Sequence, residues 1–161
     1  MLHHQSRRIF LLGVFLLNGL LVVGQDMNQP RAKRARTLED YQPSTLKEIS
    51  AQQSTATLLP LQVKATFTGL ARPLSQTKKA FLRAWANHYA GSVDHYTAHY
   101  QTEMQFSENG VPYWLTVTTK SLEQLQSQMK KGQAVELYLI RISETASGNP
   151  ADWLLLVEKF K

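Results

Sequence analysis

The stretch Val111–Ile142, VPYWLTVTTKSLEQLQSQMKKGQAVELYLIRI, changes its periodicity twice, and the order of those changes decides the fold. Up to Thr118 it is rich in β-branched and aromatic residues, which suit a pleated strand. Pro112 cannot donate to a sheet ladder, so this strand starts after it or runs along an edge. From Ser121 to Lys131 the period becomes helical. Leu122, Leu125 and Met129 share one face, and Ser121 with Gln124 reads as a capping box. Lys130 and Lys131 suit the negative end of that helix, and Gly132 can take the left-handed position beyond it. Ala134–Ile142 is then apolar on nearly both faces, which marks a central strand.

The same signals extend outward in both directions. Trp153–Phe160 is a second strand apolar on both faces, joined to the first by a polar loop from Ser143 to Asp152. Upstream, Thr102–Phe106 pairs with the Val111–Thr118 strand as a hairpin, because Asn109 and Gly110 tolerate the positive φ of a tight turn. Leu61–Thr68 alternates, with Val63, Ala65 and Phe67 on one face, and Gly69 and Pro73 end it. Ser75 can cap a following helix whose face carries Phe81, Ala84, Trp85 and His88. Gly91 and Ser92 interrupt that pattern, and His95, Tyr96, His99 and Tyr100 form a second, shorter helix.

The order is strand, helix, short helix, strand, strand, helix, strand, strand. It predicts an α+β domain, a small five-stranded and mostly antiparallel curved sheet or open barrel with two to three helices. Five strands with a helix between the third and fourth resemble the OB-fold, a partly open barrel. The alternative rests on Phe81–Phe106, where Trp85, Asp94, Tyr96 and Tyr100 resemble the opening helical hairpin of NTF2-like domains of exported bacterial proteins. Neither resemblance implies one function, because both folds host enzymes and passive binding modules.

The amino terminus reads as an export signal. Arg7 and Arg8 precede Ile9–Gly24, an apolar run of 16 residues interrupted only by Asn18, with no charge until Asp26. That is shorter than the ~20 residues that span a bilayer comfortably. Val22 and Gly24 suit peptidase cleavage before Gln25, leaving a periplasmic or extracellular protein. The alternative is an anchor in the cytoplasmic membrane made by residues 9–24. Residues 25–60 read as a basic, polar, disordered linker without a sustained apolar period. Thr37–Ser50 could hold a short helix around Leu46 and Ile49 but nothing there could build a core, so the globular domain is expected to span 61–161.

The chain is 43% hydrophobic and 19% charged, ordinary for a globular protein, and it has no cysteine. Disulfide bracing and thiolate chemistry are therefore excluded, and stability must come from packing. From Gln25 onward 16 basic residues face 12 acidic ones, an excess of four. Arg31, Lys33, Arg34 and Arg36 concentrate that excess. Such a run reads as a solvated basic tail, with weak long-range attraction to an anionic membrane surface as the alternative. Arg31–Arg34 also resembles the R-x-K-R site of proprotein convertases. Nucleic acid is not an expected partner outside the cytoplasm.

Two sets of side chains carry candidate chemistry. His95 and His99, four apart on one helical face, with Asp94 and Glu103 nearby, form the candidate metal set, and His88 extends it. Imidazole is also the usual acid or base near neutral pH. Tyr113, Trp114 and Trp153 are the candidate ligand-stacking set. No G-x-S-x-G elbow and no glycine-rich phosphate loop occur, and no cofactor is expected. The reading is a non-catalytic envelope module binding a protein, polymer or small ligand on its curved sheet, with a metal-dependent or acid-base enzyme as the alternative. Amino-terminal sequencing of exported material should begin at Gln25, whereas intact Met1 recovered from membranes would indicate the anchor.

Overall fold

A computed structural model describes residues 36–51, 58–90, 92–143 and 153–161. The expected signal at 1–24, the basic residues Arg31, Lys33 and Arg34, the residue Gly91 and residues 144–152 of the polar loop lie outside the described residues. After a 3-10 turn at Leu38–Asp40, the elements are β1 (Gln42–Pro43), α1 (Leu46–Ala51), β2 (Leu58–Pro73), α2 (Gln76–Trp85) and a π turn (Ala86–Ala90). There follow α3 (Val93–His99), β3 (Tyr100–Glu108), β4 (Val111–Thr118), α4 (Thr119–Gln128), β5 (Ala134–Ser143) and β6 (Trp153–Phe160).

β2 is the strand on which the sheet turns. Its first part pairs antiparallel with β5, from Leu58 opposite Ile142 to Thr66 opposite Ala134. Its later part pairs with β3, ending with Pro73 opposite Thr102, after a register shift between Phe67 and Ala71. Gly69 lies in that shift at φ +79°, a conformation that costs a residue without Cβ nothing. The strand therefore bends at Gly69 rather than stopping there. β3 and β4 form the hairpin, with Asn109 at φ 52° and Gly110 at φ 80°. β6 pairs antiparallel with β5 and parallel with β4, the latter only at Thr116 opposite Leu156 and Val117 opposite Val157.

These pairings run β2, β3, β4, β6, β5 and back to β2, so the six-stranded mixed sheet curls ring-like around its interior. The short contact between β4 and β6 leaves it partly open. With α4 between the third and fourth ring strands, the architecture is the α+β, OB-like barrel, and the helices that suggested an NTF2-like cone are inserted between its first two strands. Pro112 is tolerated because β4 meets β6 only at Thr116 and Val117, leaving the Pro112 end an edge.

The interior holds Val63, Phe67, Met104, Phe106, Leu115, Val117, Leu137, Leu139, Leu155 and Val157, with Leu125 of α4 joining from one end. A second core forms outside the ring, where Ile140, Ile142, Leu154 and Leu156 meet Leu74, Leu82, Trp85 and Ala86. Both faces of β5 and β6 are thus covered, which explains their unbroken apolar sequence. Ser75 caps α2 by accepting from the Lys78 N–H at 3.3 Å. The buried face of α2 is Leu82 and Trp85, continued by Ala86 of the π turn, whereas Ala84 and His88, expected on it, are exposed. α4 starts earlier than its capping box suggested: Thr118, not Ser121, accepts the first-turn N–H, from Ser121 at 3.0 Å. It stops at Gln128, and Gly132 takes its positive φ in the turn into β5.

The start of the domain differs from expectation. Residues 36–51, read as part of a linker, wrap the barrel as a strap. Arg36 ion-pairs with Glu158 at 2.8 Å, so it does not belong to a solvated basic tail. Tyr41 donates to the same carboxylate at 2.5 Å and meets Tyr138 edge-on, and its burial against Glu158 holds the phenol above its ordinary pKa. β1 pairs parallel with β2 at Leu61 and Gln62, beside the part of β2 that β3 does not reach. The N–H groups of Leu46 and Lys47 donate to Glu108 at 3.0 and 3.1 Å, which seats α1 at the hairpin end of the barrel. Leu46 and Ile49 join the interior core at 0% and 1% exposure. Two apolar side chains suffice when the barrel supplies the rest of the surface. Leu46→Ala should therefore cost about 2–5 kcal/mol in urea unfolding, as a core truncation does; a loss below ~0.5 kcal/mol would mark the strap as superficial.

Candidate functional site

Along β3, Met104 and Phe106 point inward, so Glu103 and Gln105 take the outward face. On β4 the inward residues are Tyr113, Leu115 and Val117, and Trp114 and Thr116 face out. Register places Glu103 opposite Thr116 and Gln105 opposite Trp114, with Arg72 of β2 on the far side of Glu103. Sheet geometry alone thus assembles arginine, glutamate and tryptophan on one patch.

Glu103 is only 1% exposed, and a buried carboxylate requires compensation. Arg72 Nε donates to its Oε2 at 2.8 Å, and Lys78 Nζ donates to Oε1. Lys78 comes from the first turn of α2, which the Ser75 cap holds over the sheet. Having satisfied Glu103, the Arg72 guanidinium lies 4.0 Å from the centre of the Trp114 ring, within cation-π range. The arginine side chain remains 47% exposed, so the stacked pair fronts solvent while its anchor is buried.

The candidate aromatic set is divided by the sheet. Trp114 is on the outward patch, whereas Tyr113 and Trp153 pack against the barrel interior. Trp153 has a cation of its own, the Arg141 guanidinium at 5.2 Å. Compared with protein-family models and with curated proteins, the chain matches none.

The candidate metal set is likewise divided. His95 and His99 share one face of α3, with ring centres 5.0 Å apart, as their spacing of four requires. Both are exposed. Glu103 is bound instead to Arg72 and Lys78, and His88, on the π turn, packs its ring on Tyr89 at 4.6 Å. Among the described residues no three of His, Asp and Glu gather as a metal site would need. Asp94 lines a different feature, a cleft of about 330 Å³ between α2 and α3 whose opposite wall carries Lys79 and Arg83.

Arg72, Lys78, Lys79 and Arg83 were not singled out by sequence. The only local signal was Glu103 beside inward-facing residues of a strand, and its partners come from 25 and 31 residues away. Replacing it shows whether it organises the patch. Glu103→Gln keeps the shape but removes the charge, and should lower stability by about 1–3 kcal/mol. The half-exposed cations can regain water, which keeps the loss below that of a fully buried pair. An unchanged melting temperature would mean that the carboxylate does not anchor the patch.

Proposed function

We propose that this chain is a non-catalytic binding module of the bacterial envelope or secreted space, and that its ligand lies on the outward face of β3 and β4. The observation that carries this reading is the Arg72 guanidinium stacked on Trp114 and fixed from below by the buried Glu103. A flat aromatic surface already oriented by a buried ion pair loses little conformational freedom on binding. These are the second and third strands of the barrel, the face that barrels of this type use for oligonucleotides and oligosaccharides, a fold-level analogy.

Charge narrows the ligand. At the patch Arg72 and Lys78 stand against Glu103 alone, two cations to one carboxylate. An anionic polymer whose rings pack against the Arg72–Trp114 stack, such as an acidic polysaccharide, fits that balance. The rival reading, metal-dependent or acid-base catalysis by His88, His95 and His99, draws on the close imidazole pair of α3. It needs a further donor, and Glu103 already serves two cations.

Titrating the full mature chain with a polyuronate should change its tryptophan fluorescence, and the effect should weaken with salt. Neutral dextran should produce a smaller change, and Trp114→Ala should abolish the polyuronate response. No response to the polyuronate, or an equal response in Trp114→Ala, would overturn the proposal.

A further inference from the structure

The cleft between α2 and α3 presents opposite charges on opposite walls. Lys79 and Arg83, four apart on α2, project together along one side, and Asp94 stands on the other. Among the described residues the ion pairs are Arg36 with Glu158 and both Arg72 and Lys78 with Glu103. No nitrogen of Lys79 or Arg83 therefore approaches the Asp94 carboxylate within 4.0 Å. Leu82, Ala98 and Tyr100 line the same cleft and give it an apolar surface between the charges. The amide of Gln101, also in the lining, donates to the Thr97 carbonyl and ties β3 to α3 beside it.

Opposed charges held apart across a cleft keep their water until something carrying both complementary charges replaces it. We infer that this cleft binds a small zwitterion of the amino-acid or short-peptide class. Its carboxylate is held by Arg83 and Lys79, its ammonium by Asp94, and an apolar side chain lies against Leu82 and Tyr100. Arginine suits the carboxylate because its planar fork donates two parallel hydrogen bonds. The adjoining Glu103 does not repel an incoming carboxylate, since Arg72 and Lys78 already offset its charge. This site extends the binding-module reading but uses none of the Trp114 stack, so either can fail while the other stands.

The test is calorimetric titration of the full mature chain with leucyl-alanine, N-acetyl-leucyl-alanine and leucyl-alaninamide, three probes that keep the apolar part and delete one charge at a time. The free dipeptide should bind, and each blocked form should bind about tenfold more weakly or less. In Arg83→Gln amidation should no longer weaken binding, and in Asp94→Asn acetylation should no longer do so. Both positions are exposed, and melting curves would verify that each variant folds. If either does not fold, the three probes on the unaltered chain decide alone. Absence of binding by leucyl-alanine at millimolar concentration, or equal affinity for all three probes, would overturn the inference.

Discussion

A strand of 16 residues must here satisfy two different neighbours, and the architecture follows from how it does so. Had β2 stayed straight, it would have offered one edge to β5 and one to β3 along its whole length, and the sheet would have opened flat. The bend at Gly69 staggers the partners instead, bringing β5 to the first part and β3 to the second. That stagger is what a small barrel needs, because strands must shear past one another for a sheet to close. It also leaves one side of Leu61 and Gln62 without β3, and β1 fills that position.

The outer surface of the ring then differs by sector. Over β5 and β6 it is apolar and covered by the inserted helices, with Trp85 meeting Tyr96 edge-on and Tyr96 stacked on Tyr100. Over β3 and β4 it is polar and left half-open. α2 serves both sectors, since Leu82 and Trp85 pack on the second core while Lys78 reaches Glu103. The helix that secures the hydrophobic layer thus also sets one wall of the charged patch and one wall of the cleft.

Much of the fold was legible because its signals are local. The alternation of Val63, Ala65 and Phe67, the turn at Asn109 and Gly110, and the doubly apolar strands each declare themselves within ten residues. Helix boundaries were less so, as with α4, where Thr118 competes with Ser121 for the cap. Of the strap only the short helix around Leu46 and Ile49 was legible. That it joins the core was not, because Tyr41, Leu46 and Ile49 are too sparse to show a period and their partners lie far along the chain. For the site, Trp114, Asp94 and the spacing of His95 and His99 were readable as residue types. Their grouping was not: Glu103 went to Arg72 and Lys78, and Asp94 to the cleft, through register and helix placement that no local pattern encodes.

The seam between β2 and β5 also governs how this chain reaches its native state. It joins residues such as Leu58 and Ile142, with the hairpin, both inserted helices and α4 lying between them. Closing so large a loop costs entropy before any of its contacts form. Barrels dominated by such distant pairings fold in roughly milliseconds to seconds, far more slowly than helical bundles. Until that closure, the inward residues of β2 and β5 face water together, so the unzipped ring is the form of this protein most open to association with its own copies.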